Sequence, residues 1–433
     1  MPALAMGDAR FIQWSVRRGQ QRCCGDELKG VRTPVAKPFN NPPRNMNSIS
    51  RIQQVLKAVP RRAFAQAVAH HQGDRHVKKF TCWDQLVAML YVQLAGADSL
   101  RQLEAGFNPQ VNHHYHLGTG CVRRTTLSDA NKKRSPLIFA QLLQALIEQA
   151  GRSVRAQREE LLYLMDATTV DLPGRGCQEL RGHASARGNH GIKLHLLLDS
   201  RSAAVAAASI TPARVNDITE GRKLAIEPGA TYVFDKGYCN YNWWHSIDQK
   251  DARWVTRWRR DAALKLVSER AVTPGESAIL RDSIVAFALR TPRGGHQNSY
   301  SGQLRRIEVA RPDAAPLVLA TNDLLSAPEE IALLYKQRWQ IELFFKWVKQ
   351  HLQIGRFLGS NENAVRIQLL TALIAYMLVL LLKKATQFSG SLWMLLAQLR
   401  ACLFQRPHTE QSYWRRRRAK QAFIAAIQPQ LFT

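Results

Sequence analysis

The sequence predicts an α/β chain, with a mixed sheet flanked by helices and an all-helical unit in front. Three observations predict it. From Ile49 to about Ala150 apolar residues recur at three- and four-residue spacing. From Glu160 short runs of strand formers take over. From Pro328 a strong helical pattern returns. The chain has 433 residues and a hydrophobic fraction of 45%. That is enough for two or three domains with a sizeable core.

Residues 1–45 are rich in Arg, Gly and Pro, and PFNNPPRN has no periodicity, so they read as a disordered basic extension. Met46 directly precedes the amphipathic pattern and is a candidate true start. Residues 46–155 form the helical unit, with ISRIQQVLKAV, WDQLVAMLYVQLAG and SPLIFAQLLQALIEQA as its main helices. Between the last two, RRTTLSDANKKR (Arg123–Arg134) reads as a short helix with Thr or Ser caps and cations at both ends. Such a unit suits DNA binding. The same pattern also describes a plain packing domain.

Residues 156–385 read as the α/β domain. LLYLMDATTVDL, GIKLHLLLD, AAVAAASIT, TYVFDKGY and RWVTRW are its strands. Helical pieces are expected at Asp217–Ile226 and Asn242–Gln249. Three strands, a helix and further strands predict the mixed sheet. AILRDSIVAFALR, QLRRIEVARP and PLVLATN extend the β pattern through 259–322, as an insertion before the closing helix. The run Leu369–Leu382 is shorter than the roughly 20 residues a bilayer span needs, and Lys383 and Lys384 close it, so it reads as a buried helix. Residues 386–433 form a basic helical end, where Trp414–Arg418 (WRRRR) is either a phosphate-contacting patch or a solvated helix end.

The formal net charge of +28 points to a polyanionic partner, nucleic acid first and an acidic membrane second, against the plain alternative of a solubilising basic surface. Seven scattered cysteines without a C-x-x-C pair, and an opening without a signal-peptide pattern, fit a reducing cytoplasm. No Walker motif, G-x-G-x-x-G after a strand, G-x-S-x-G or H-E-x-x-H occurs. The histidines at 70, 71, 76, 113, 114 and 116 lack Cys or acid partners at ligand spacing.

Three acids carry the chemistry. Asp166 and Asp235 each sit among apolar neighbours on predicted strands, and burying them is costly unless they are paired or bind metal. The third is Glu342, in YKQRWQIELFFKWVKQHL (Tyr335–Leu352). On one continuous helix Arg338, Glu342 and Lys349 fall within about 60° of Tyr335, opposite Ile341, Leu343, Phe344, Trp347 and Val348. Lys346 lies just off this stripe. The stripe alone is equally a solvated charged face. Two strand Asp residues and a helical Glu in a strongly basic chain point instead to phosphodiester chemistry with divalent ions.

Tyr335-x2-Arg338-x3-Glu342-x6-Lys349 resembles the Y-R-E-K signature of bacterial insertion-sequence transposases of the type-four family, within the DDE superfamily. DATTVDL at Asp166 and YVFDKGYCNY at Asp235 resemble its two acidic motifs, the second including Tyr238, the aromatic after a glycine. GIKLHLLLD, ITPARVND and LATN match in order, and residues 49–150 are similar to the N-terminal domain common in that family. The resemblance implies an RNase H-like core with a β-strand insertion. It implies Mg²⁺ or Mn²⁺, as two ions, held by Asp166, Asp235 and Glu342. It implies cut-and-paste transposition on double-stranded DNA, at transposon-end repeats and target, through an end hairpin and strand transfer. Two protomers are expected to pair two ends. Tyr335, Arg338, Lys349 and Tyr238 would contact DNA, and Lys193 and His195, alternating with Ile192 and Leu194, would point toward the same site and add to that contact. Related enzymes stack a flipped base on a tryptophan in the insertion. Residues 259–338 contain none, leaving Trp254, Trp258, Trp339 or a tyrosine. Two other readings are a nuclease of the same core that never joins DNA and an inactive DNA-binding relative.

Overall fold

A computed structural model describes residues 49–155, 160–172, 191–259, 262–272, 278–288, 297–312 and 314–405. The expectations for residues 1–45, Met46 and Trp414–Arg418 lie outside these residues.

Seven helices come first: α1 (Arg51–Lys57), α2 (Arg61–His70), α3 (Cys82–Ala95), α4 (Leu100–Phe107), α5 (Val111–Leu117), α6 (Arg124–Lys133) and α7 (Leu137–Arg155). Local chemistry sets the ends of α3. Thr81 accepts the Asp84 N–H while Asp84 accepts the Thr81 N–H, a reciprocal cap. Gly96, at φ 74°, stops the helix in a conformation that a side chain disfavours. The cap expected for α6 is different. Arg123 occupies the N-cap and gives no side-chain hydrogen bond, so neither Thr nor Ser caps this helix. Arg134 at its other end is buried, donating to the carbonyls of Gly73, Thr81 and Phe80 and to Gln85.

The sheet contains β1 (Leu162–Asp171), β2 (Gly191–Asp199), β3 (Val205–Pro212), β4 (Thr231–Phe234) and β5 (Arg253–Arg257), with α8 (Asp217–Gly221) and α9 (Tyr241–Asp248) between them. It continues with β6 (Leu264–Arg270), β7 (Ile279–Phe287), β8 (Leu304–Arg311) and β9 (Ala314–Thr321). The strand order is β3-β2-β1-β4-β5-β9-β8-β7-β6. β1, β2 and β3 are antiparallel neighbours, while β4 and β5 run parallel to β1. This is the RNase H-like arrangement. The insertion strands prolong the same sheet, because β9 pairs antiparallel with β5. β6 escapes sequence patterning because it lies at the sheet edge with six of its seven residues exposed, so no buried face imposes alternation. The helix expected at Asp217–Ile226 is shorter, ending at Gly221.

The closing helices are α10 (Pro328–Gln337), α11 (Trp339–His351), α12 (Glu362–Ala385) and α13 (Leu392–Ala401). The helix expected to run unbroken through Tyr335–Leu352 is instead interrupted at Arg338. There the Arg338 N–H bonds the Tyr335 carbonyl and the Ile341 N–H bonds the Arg338 carbonyl, three residues apart rather than four. The core face of α11 also shifts from expectation. Ile341, Phe344, Phe345 and Val348 are buried, whereas Leu343 is 49% exposed.

α12 is apolar all round because it is surrounded. It is the one described helix long and apolar enough to cross a membrane, and 89% of its most apolar window is buried within the protein. Its packing joins the N-terminal helices to one sheet face in a single core that includes Leu90, Leu142, Leu164, Leu196 and Leu373. A second core, on the other face, gathers Met165, Leu197, Tyr238, Trp243, Trp244 and Trp254.

Candidate active site

Strand alternation decides which side chains meet. Asp166 pairs with Leu196 and therefore shares its face, looking toward the first core. β4 runs parallel to β1 with Phe234 opposite Met165, which brings Asp235 alongside Asp166. Asp235 itself lies one residue past the end of β4 rather than inside a strand. α11 packs on β1 and carries Glu342 in its first turn.

Arginines occupy the space among the acids. Arg338 Nη2 donates to Glu342 Oε1 at 2.5 Å, and its Nη1 lies 3.6 Å from Asp166 Oδ2. Asp166 Oδ1 accepts the Ala167 N–H at 2.8 Å. Asp235 Oδ1 accepts Arg257 Nη2 at 2.8 Å, Arg257 Nε at 3.2 Å and the Tyr335 hydroxyl at 3.4 Å. Burial pushes the Asp166 carboxyl up to about 6. The Ala167 N–H and Arg338 oppose that rise, and the negative charges of Asp235 and Glu342 add to it. Burial also raises Asp235, but the Lys236 N–H and Arg257 outweigh it and hold this carboxyl below its usual range. Two neighbouring acids are thus driven in opposite directions, as in sites that handle protons or cations.

The remaining expected residues divide. Lys349 is exposed and donates to the Thr169 carbonyl at 3.1 Å, farther along β1 from Asp166. Tyr335 is buried at the site, which raises its hydroxyl pKa. Lys193 and His195 do not point toward the acids. They pair with Thr169 and Ala167, so they occupy the sheet face opposite Asp166. There Lys193 Nζ donates to Asp217 Oδ1 and the Val215 carbonyl, both at 3.0 Å, and His195 Nε2 lies 2.8 Å from Thr211 Oγ1. Tyr238 is 1% exposed among Phe234 and Trp243, which removes it from direct DNA contact in this conformation. Trp254 and Trp258 are also buried, whereas Trp339 is 58% exposed. Sequence reasoning missed Arg257. Its signal was two-residue spacing from Val255, a first-core residue, which puts Arg257 on the face of Asp166.

The donor chemistry fits a hard divalent cation, since three carboxylates offer oxygen ligands and their mutual repulsion favours one. Among the described residues, no three acidic, histidine or cysteine side chains stand close enough to hold an ion together. Arg338 and Arg257 supply the compensating positive charge in this arrangement.

Residues 157–378 match the family described as the transposase DDE domain, and residues 47–120 match a domain of unknown function (DUF4372). The chain is 39% identical over 284 residues to y4zB, a candidate transposase of Sinorhizobium fredii, covering 65% of this chain and 77% of that protein. It is 25% identical over 263 residues to a candidate transposase for insertion sequence element IS4SA of Synechocystis, covering 60% and 71%. A piggyBac transposase synaptic complex with hairpin DNA aligns over 82% of this chain and 80% of that one, with a TM-score of 0.43 and 11% identity. The family match spans just over half of the chain and includes Asp166, Asp235 and Glu342: the protein belongs to the DDE transposases and is a relative of insertion-sequence enzymes.

Proposed function

We propose that this transposase excises and inserts its element by cut-and-paste chemistry, using Mg²⁺ or Mn²⁺, two ions per site, held by Asp166, Asp235 and Glu342. The observation that supports this reading is that Arg338 pairs with both Asp166 and Glu342 while Asp235, one strand over, pairs with Arg257, so the three acids are neighbours separated by guanidiniums. DDE transposases act on DNA and use divalent metal ions. When bound, such ions activate the attacking hydroxyl or water and stabilise the leaving oxygen.

The chain's own residues would orient the DNA. Arg338 exchanges its carboxylate partners for a phosphate of the transposon end, a fork geometry that suits both anions. Tyr335 holds Asp235 in place, and Lys349 grips the backbone beside β1. A hairpin at the transposon end is part of the proposal, with the exposed Trp339 as the stacking surface for an unpaired base. Two copies of the chain would pair two ends.

Cleavage and joining assays test this reading. Glu342→Gln is expected to bind end DNA like the wild type and to lose both nicking and strand transfer. Nicking by this variant in Mg²⁺ would remove Glu342 from the site. Wild-type cutting without any joining would instead indicate a nuclease.

A further inference from the structure

ITPARVND, with Lys193, His195 and Tyr238, forms a polar cluster on the sheet face away from the acids. Asp217 is its hub. Lys193 Nζ reaches its Oδ1 at 3.0 Å, and His195 Nδ1 lies 3.7 Å from the same oxygen. The far side of Asp217 meets the turn that follows Asp235. A Cβ placed on Gly237 would lie 3.5 Å from Asp217 Oδ2, and one placed on Gly221 would lie 3.1 Å from Tyr238 Cδ1. α8 therefore lies against the Lys236–Tyr238 turn, with room for about a methyl group between Asp217 and Gly237, and β2 holds α8 through Asp217. Because Asp235 lies beyond the end of β4, the strand ladder does not fix its direction.

Simple packing does not account for the cluster. His195 is 5% exposed and Tyr238 1%, and His195 Nδ1 and the Tyr238 hydroxyl make no hydrogen bond among the described residues. Both residues line one small cavity with Met165, Glu220 and Gly221. Buried polar atoms left this way cost stability. His195 faces away from Asp166, and Tyr238 lies in the turn after Asp235, a placement that suits a supporting scaffold.

We propose that Asp217, held by Lys193, is a positioning residue that fixes the Gly237 turn and so aims Asp235 at the metal. The proposal rests on the assignment of Asp235 as a metal ligand. Groups that hold a ligand from behind are typically worth about 10- to 100-fold in metal affinity or activity.

The test is Mn²⁺ binding to the full-length, DNA-free protein, followed by electron paramagnetic resonance, alongside end cleavage. Asp217→Ala is expected to weaken Mn²⁺ binding and lower kcat by about tenfold or more, with end-DNA affinity within about twofold of wild type. A folded variant with Mn²⁺ affinity and kcat within about twofold of wild type would overturn the proposal. Should Asp217→Ala fail to fold, Lys193→Met with Asp217→Asn removes both charges together and leaves no buried ion alone. That double variant is expected to bind Mn²⁺ weakly, and wild-type binding would sink the idea. If the wild type binds Mn²⁺ but never cuts end DNA, the transposition reading fails, while the binding comparison still decides the role of Asp217.

Discussion

At the scale of single residues, the site rests on an acid whose charge is disfavoured where it sits. Asp166 titrates near 6 in the folded chain, above its ordinary value of 3.8. A carboxyl raised in this way binds a proton more tightly folded than unfolded, so stability falls as pH rises from about 4 through about 6. Asp166→Asn removes the penalty and is expected to stabilise the metal-free protein at pH 7 by about 1–3 kcal/mol in urea unfolding, while abolishing cleavage. Mn²⁺ affinity of the wild type should fall by about tenfold per pH unit below 6, because the proton competes for the same oxygen. A flat Mn²⁺ affinity between pH 5 and pH 7, measured by titration, would show that Asp166 is not a ligand.

At the scale of elements, α11 shows how a face is chosen. Ile341 and Val348 are fully buried, and Phe344 and Phe345 nearly so, while Leu343 stands in solvent. Ile341→Ala should cost about 2–5 kcal/mol and Leu343→Ala within about 0.5 kcal/mol, read from denaturant midpoints at constant slope. Equal costs would mean that the face is misassigned. The spacing of Y-R-E-K and the two Asp motifs was legible in the sequence, as was nearly every strand. The break at Arg338 was not, because three-residue and four-residue hydrogen bonds leave the same apolar pattern over so few residues. Nor was the direction of Lys193 and His195. Alternation shows that they share a face but not which face, and pairing with Ala167 and Thr169 decides it. The edge strand β6 left no pattern to read.

At the scale of the molecule, the described residues of this +28 chain fold around a nine-stranded sheet and the central helix α12. Its excess charge should act mainly on polyanions at close range. End-DNA binding is expected to weaken steeply with salt, with a log–log slope of roughly −0.9 per phosphate contacted. Four or more contacts would lower affinity by more than about 100-fold between 50 and 200 mM salt in a fluorescence anisotropy titration. A flat response would separate the net charge from DNA binding.

The sequence by itself determined most of the element types, the order of the three acids and the kind of chemistry they suit, because periodicity and motif spacing are local properties. Tertiary structure alone decided that Arg257 stands against Asp235 and that Arg338 bridges Asp166 and Glu342. It also decided that Lys193, His195 and Tyr238 lie behind the acids rather than beside them. Those facts depend on which strand lies next to which, and residues far apart in the chain become neighbours only when the sheet is assembled.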